Sequence, residues 1–204
     1  MRSLLIDTTS SFINISIIEN NNILYYNNNE ILKDMSSQII PIIDEGFKNV
    51  NFSINNIDKI FIVNGPGSFT GIRVGVTVAK TIAWALKKEI IPISSLELLA
   101  TTPTTKKYIV PMIDARRGNV FGAIYDTNLN VIKEEKLVNL DKLIHNLDSN
   151  YEFVSNDNII NTIKPRIDII KIINKHINDK GINPHNLNPN YLKLTEAEEN
   201  RLND

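Results

Sequence analysis

Three stretches of the chain carry residue types that could do chemistry. Asp7-Thr8-Thr9 closes an apolar run and offers a carboxylate, two hydroxyls and turn amides, a set suited to a phosphate with its Mg²⁺. An aspartate at a tight turn equally makes an Asx-turn with no ligand. Asp114-Ala115-Arg116-Arg117-Gly118 is a second such turn, whose arginine pair could hold a phosphate or a partner's carboxylate. The third stretch, Gly65–Gly71 (GPGSFTG), lies between a strand pattern and a helix pattern, where anions are often cradled. A P-loop needs Gly-Lys-Ser/Thr at the helix start, and here Gly71 is followed by Ile72-Arg73. A dinucleotide loop needs its third glycine one residue earlier and has no use for Pro66 between the first two. The loop is therefore expected to be a rigid turn, with Ser68 or Thr70 capping the helix.

Composition narrows the function classes. The chain has 204 residues, enough for one sizeable domain or two small ones, and a net charge of -1. No basic face is visible, so the chain alone is expected to be a poor nucleic-acid binder. Cysteine is absent, which removes disulfides and thiolate metal sites. The three histidines, His145, His176 and His185, have no ligand spacing, and no metal site is expected. Met1–Asp7 is too short for a signal peptide, and the longest apolar helix carries Arg73 and Lys80. A cytoplasmic protein without a membrane span is expected. The Asn runs at 20–22 and 27–29 fall where hairpin turns belong.

Periodicity places the three stretches on elements. Arg2–Ile6, Phe12–Ile18 and Ile23–Tyr26 read as an antiparallel meander, followed by a helix with Ile39, Ile40, Ile43 and Phe47 on one stripe, capped by Ser36 or Ser37. Lys59–Val63 is a strand, Ile72–Leu86 a helix and Ile90–Ile93 a strand. Ser94-Ser95-Leu96-Glu97 has the form of a capping box. After a Thr-rich linker, Thr101–Lys107, the order recurs: Tyr108–Ile113, Asn119–Tyr125, Val131–Leu137, an amphipathic Leu140–Leu147 and Tyr151–Val154. Residues 6–17 align with residues 113–124 without a gap, aspartate on aspartate. The fold expected is α/β, a duplicated βββαβ unit in two lobes, the plan of the actin/Hsp70/sugar-kinase (ASKHA) superfamily. The lobes are expected at 1–102 and 103–204, with a helix near Asp168–Asp179, a loop over Asn178–Pro189 and a polar tail from Tyr191 to Arg201 that could return to the first lobe.

The long helix carries small residues every four positions, at Gly71, Gly75, Ala79 and Ala83. Small side chains let two helix backbones approach closely, by analogy with membrane helices. The alternative is that the stripe packs on the protein's own sheet, as one face of the helix must; a second apolar line, Val74, Val78, Thr81 and Ala85, exceeds what one sheet can also bury, unless the Ile39–Phe47 helix covers it. Gly71, Arg73, Val74, Gly75, Val78, Ala79, Lys80 and Ala83 are therefore the expected partner-binding residues.

Gly65–Leu86 (GPGSFTGIRVGVTVAKTIAWAL) resembles the signature of the TsaB (YeaZ) family; Asp114–Tyr125 and Pro189–Glu198 resemble two further hallmarks, and IDTTS matches the opening. The resemblance implies a non-catalytic subunit in the synthesis of threonylcarbamoyladenosine on tRNA. It implies pairing with a TsaD-like catalytic subunit, a TsaE-like ATPase as further partner, and tRNA met only through the assembly, with self-pairing as the alternative when the partner is absent. TsaD-type relatives carry a His-Leu-Glu-Gly-His stretch whose histidines hold a metal; here the segment reads Ser95-Leu96-Glu97-Leu98-Leu99. Leucine cannot ligate and serine is a poor ligand beside imidazole. The stretch Val154–Asn158, where related kinases turn against adenine, has no glycine. Asp7, Thr8, Thr9, Asp114, Arg116 and Arg117 are thus expected to be a vestigial nucleotide site. No cofactor is expected to bind tightly, and ATP or ADP is expected only at a subunit interface. The disfavoured alternative is an ATPase, kinase or Gcp-like M22 peptidase.

Overall fold

A computed structural model describes residues 1–31, 34–145 and 147–192, which form two compact units. The first unit holds residues 1–98 and 168–189. Its sheet is built from β1 (Arg2–Asp7), β2 (Phe12–Glu19), β3 (Asn22–Glu30), β4 (Lys59–Val63) and β5 (Ile90–Ile93), in the order β3-β2-β1-β4-β5. β1 to β3 form the antiparallel meander, while β4 and β5 run parallel to β1 and are reached through helices. The alternation of strand side chains puts Leu4, Ile6, Ile13, Ile15, Ile17, Ile60, Ile62 and Ile90 on one face. That face is covered by α1 (Met35–Asn49) and α2 (Phe69–Leu86), through Ile39, Ile42, Ile43, Ile72, Val76, Ala79 and Ala83. Each such isoleucine contributes about 1.5–3 kcal/mol by leaving water, which is why the registers of these strands cannot slip. α1 begins at Met35, two residues earlier than a Ser36 cap allows, and Asp34 enters it with a left-handed backbone and makes no side-chain cap.

The second unit holds residues 99–167 and Asn190–Leu192 of the described chain. It repeats the plan in β6 (Tyr108–Asp114), β7 (Asn119–Asp126), β8 (Val131–Asn139), α4 (Leu140–Ile144) and β9 (Tyr151–Val154), ordered β8-β7-β6-β9 with β9 parallel to β6. Between the two sets lies α3 (Ser95–Leu99). The core of this unit, Val110, Met112, Val120, Ile124 and Leu143, is smaller, and α4 spans five residues where the sequence pattern reaches Leu147. Both sheets start with the same meander and parallel return, so the duplication read from residues 6–17 and 113–124 is present in three dimensions.

The expected division at residue 102 differs from the structure in two respects, the first being that the second unit begins at Leu99. Residues 168–189 belong with the first unit rather than the second. They form α5 (Ile169–Lys175), an antiparallel bridge from Ile182 to Ile90 at the edge of β5, and a 3₁₀ turn, Pro184–Asn186, against α2. The Lys59 ammonium reaches the carbonyl of Ile177, and Asn64 Nδ2 donates to the Asn188 carbonyl at 3.0 Å. Asn190 donates to Glu135 of the second unit at 2.6 Å. The expected tail lies outside the described residues from residue 193 onward, as does most of the Pro189–Glu198 hallmark.

Candidate partner interface and aspartate turns

The glycine loop is pinned from two sides. Ser68 N–H donates to the Thr9 carbonyl at 2.7 Å, and the Ser68 hydroxyl accepts from Gly71 N–H at 3.2 Å as the cap of α2. At the other end Ser95 N–H donates to the Gly65 carbonyl at 3.0 Å and the Ser95 hydroxyl donates to that of Pro66. The N–H groups of Ser68, Gly71 and Ile72 are thus spent inside the protein, and none of the three is left for an anion. Gly67 has φ +155° and sits against the Thr9 carbonyl, where a Cβ would come within 2.3 Å. Ser68, not Thr70, is the cap.

The small-residue stripe faces inward, which corrects the reading of it as a docking surface. Gly71, Gly75, Ala79 and Ala83 are all buried against their own sheet. A Cβ on Gly71 would stand 2.0 Å from the Thr8 carbonyl oxygen, and one on Gly75 would stand 2.2 Å from Thr8 Oγ1. The close approach that small residues permit is therefore with the end of β1. Of the other expected interface residues, Arg73 is exposed, and Val74 and Val78 lie half-buried on a flank of the core. Lys80 is tied to the Leu187 carbonyl at 3.0 Å.

Opposite the stripe, α2 presents Thr70, Arg73, Thr77, Thr81, Trp84 and Ala85 to solvent. Trp84 is 65% exposed and Phe69 38%, with the Arg73 guanidinium 3.9 Å over the Phe69 ring. No residue from Phe69 to Leu86 is acidic. A large exposed aromatic on a helix face with cations and no carboxylates is the composition of a binding anchor. Trp84 is not among the residues the sequence led us to expect at a partner interface. Its place half a turn away from Gly75, at 3.6 residues per turn, was the signal that could have found it.

The two aspartate turns share one geometry. Asp7 Oδ1 accepts from Thr9 N–H at 2.8 Å and from the Thr9 hydroxyl at 2.7 Å, while the buried Thr8 hydroxyl donates to the Gly71 carbonyl at 2.7 Å. Asp114 Oδ1 accepts from Arg116 N–H at 2.8 Å. Both turns are Asx-turns, and the hydroxyls of Thr8 and Thr9 are committed to protein acceptors. Burial raises the Asp7 carboxyl above the ordinary aspartate range, against the lowering effect of its two Thr9 hydrogen bonds. At the second turn Arg116 and Arg117 are exposed, with left-handed φ of 66° and 55°. The Asp157 carboxylate accepts from Asp114 N–H at 2.7 Å, so the glycine-free stretch after β9 closes on this turn with negative charge.

The segment Ser95–Leu99 is core. Ser95 and Leu99 are buried, and Glu97 accepts from Lys175 at 3.1 Å and pairs with His176 Nε2 at 3.0 Å. His176 Nδ1 lies 2.6 Å from Asp179. The Glu97 hydrogen bond raises the His176 pKa despite burial; burial raises that of Glu97, but its bonds to His176 and Lys175 carry it below the usual range. Among the described residues no group of three or more His, Asp or Glu is placed to hold a metal ion, and no helix is long and apolar enough to cross a membrane.

The family model described as TsaD, tRNA N6-adenosine threonylcarbamoyltransferase, matches residues 29–182. The tRNA threonylcarbamoyladenosine biosynthesis protein TsaB of Bacillus subtilis is 33% identical over 126 residues, covering 61% of this chain and 55% of that protein. TsaB of Buchnera aphidicola subsp. Schizaphis graminum is 26% identical over 147 residues, covering 69% and 70%. The structure of YeaZ from Pseudomonas aeruginosa matches with a TM-score of 0.80 at 16% identity, over 94% of this chain and 99% of that one. That likeness establishes the fold. The matched part spans about half the length of the Bacillus relative.

Proposed function

The chain belongs to the TsaD family of tRNA threonylcarbamoyladenosine proteins, as a TsaB (YeaZ) member, and from that premise we propose that it serves the synthesis of this modification as a non-catalytic subunit docked on a TsaD-like catalytic subunit. The observation that carries the reading is the fate of Ser95 and Leu99. Where the resemblance implies metal-ligating histidines, these two side chains are built into the core. What the chain offers a partner is the outer face of α2, centred on Trp84 and Arg73 and suited to an apolar surface rimmed with carboxylates. A TsaE-like ATPase is the further partner in this proposal. tRNA is held by the assembly, consistent with a net charge of -1. ATP or ADP meets the chain only where subunits join, because the turn hydroxyls of Thr8 and Thr9 already have protein acceptors.

The test is co-purification with the TsaD-like protein of the same source, followed by threonylcarbamoyl transfer to tRNA. A stable complex and transfer that needs both chains are expected. Trp84→Glu should weaken the complex by about thirtyfold or more, as truncation of a buried anchor does, with circular dichroism unchanged. Ala79→Glu buries a carboxylate under the helix and is expected to unfold the unit. Transfer activity from the purified chain alone overturns the non-catalytic reading. A complex unaffected by Trp84→Glu overturns the assignment of the face.

A further inference from the structure

We propose that residues 176–182 form a proton-controlled cover on the edge of β5, latched by a doubly protonated His176 and released when that imidazole gives up a proton. All of its parts lie in the first unit, and it does not rest on the role proposed for α2.

The cover is a short return of the chain along the sheet. β5 is the last strand of its sheet, and Ile182 closes that edge: Ile182 N–H donates to the Ile90 carbonyl at 2.8 Å, and Ile90 N–H donates to that of Ile182 at 3.0 Å. An uncovered sheet edge is a template for other strands, so closing it matters. The return begins where α5 ends, with Asp179 N–H donating to the His176 carbonyl at 3.1 Å.

The His176 ring stands between two carboxylates. Its Nε2 lies 3.0 Å from Glu97 Oε2 and its Nδ1 2.6 Å from Asp179 Oδ2. A carboxylate only accepts, so satisfying both takes two N–H donors, and only the imidazolium has two. The neutral ring keeps one. Glu97 is the more deeply placed, with its side chain 11% exposed against 51% for Asp179, and it also accepts from Lys175 at 3.1 Å. The buried carboxylate has more to lose without a donor, so the remaining proton stays with Glu97. The Nδ1 lone pair then faces the Asp179 carboxylate, which has water to turn to.

The charged groups around the latch are Glu97 from α3, Lys175 from α5, Asp179 from the turn and Lys59 from β4, whose ammonium holds the carbonyls of Ile177 and Asp179. Glu89, before β5, lies against Gly181. The Lys59 bonds do not depend on the imidazole, so release is a shift in population rather than loss of the whole return. The bond to Glu97 foremost raises the His176 pKa above 6.5, so the latch is complete below that value and opens as pH climbs through the folded pKa.

Hydrogen exchange of the full chain, resolved by residue and corrected for the intrinsic rate, tests this between about pH 6 and about pH 9, with the His176 ring followed by NMR. Nδ1 is expected to lose its proton within that range. Protection of the Asp179 and Ile182 amides should fall with it by at least about threefold, while the β1–β2 ladder keeps its protection. Asp179→Asn supplies an amide that donates to a neutral Nδ1 and accepts from a protonated one, so in that variant the protection should no longer follow pH. A ring that keeps both protons to about pH 9 overturns the proposal. So does protection that stays constant as the ring titrates, a fall shared equally by the β1–β2 ladder, or an unchanged response in Asp179→Asn.

Discussion

Gly75→Ala tests the claim that the small residues of α2 exist for the end of β1. The new Cβ would lie 2.2 Å from Thr8 Oγ1, with Ile62 Cδ1 at 3.4 Å and Thr8 Cβ at 3.5 Å. Thr8 is fully buried and its hydroxyl is held at 2.7 Å on the Gly71 carbonyl, so making room means rotating Thr8 and losing that bond. Overpacking costs about 1–3 kcal/mol and the lost hydrogen bond about 1 kcal/mol. Helix propensity returns about 1 kcal/mol on replacing glycine. The single substitution should therefore destabilise by about 1–3 kcal/mol. Thr8→Ala alone should cost about 1–2 kcal/mol, from the bond and the carbonyl it leaves unsatisfied. In the double variant the nearest atoms are at ordinary contact distance, and the net cost falls to about 0–1 kcal/mol once helix propensity is counted. The coupling is then about 2–4 kcal/mol. Urea denaturation followed by the fluorescence of Trp84, the chain's single tryptophan, measures it on the helix concerned. Additive effects within about 0.5 kcal/mol would refute the reasoning. Gly71→Ala sharpens the comparison. Its clash, at 2.0 Å, is with a backbone oxygen, so Thr8→Ala should give no rescue.

The Ser3 hydroxyl is fully buried and has no hydrogen-bond partner, so Ser3→Ala should raise stability by up to about 1 kcal/mol in a thermal melt; a loss of that size would show an acceptor at work. The His176–Glu97 pair makes stability depend on pH in both directions. His176 is raised above 6.5, so its contribution is full below that value and fades as pH climbs through the folded pKa; Glu97 is lowered below 4.5, so its contribution is full above that value and fades as pH falls through the folded pKa. The difference in denaturation midpoint between the natural chain and His176→Asn should thus be greatest between about pH 4.5 and 6.5 and shrink on either side; a flat difference would mean that His176 acts only by packing. Titration of the isolated chain with a fluorescent ATP analogue should show no binding tighter than about millimolar, near -4 kcal/mol, whereas micromolar affinity would return the turns at Asp7 and Asp114 to a nucleotide role.

Much of the fold was legible because it rests on local pattern. The alternation in Phe12–Ile18 and Asn119–Tyr125 and the turns at Asp7 and Asp114 placed their elements within a residue or two, while α2 begins at Phe69, three residues before the expected Ile72. The orientation of α2 was not legible for a reason of symmetry. A small residue states that another backbone comes close, and Gly71 or Gly75 would read the same whether that backbone is a partner's helix or the protein's own Thr8. The placing of residues 168–189 was lost differently. Their ties include the bridge from Ile182 to Ile90 and lysines on bare carbonyls, and backbone groups leave no mark in a sequence; the pairs of Glu97 with Lys175 and His176 join residues over seventy positions apart. Adjacency along the chain favoured the second unit, and nothing local argued against it.

The Ser95–Leu99 segment is used structurally. A buried glutamate without partners would cost several kcal/mol. Glu97 instead meets Lys175 at the end of α5 and His176 just after it, over seventy residues later in the chain. Leucine at 99 is buried, and Ser95 spends its hydroxyl on the glycine loop, so within the first unit Ser95 and Glu97 both serve the fold. The same Ser95 bond fixes the loop whose other end caps α2 through Ser68. The segment thus acts on α2 by holding the loop from which that helix starts.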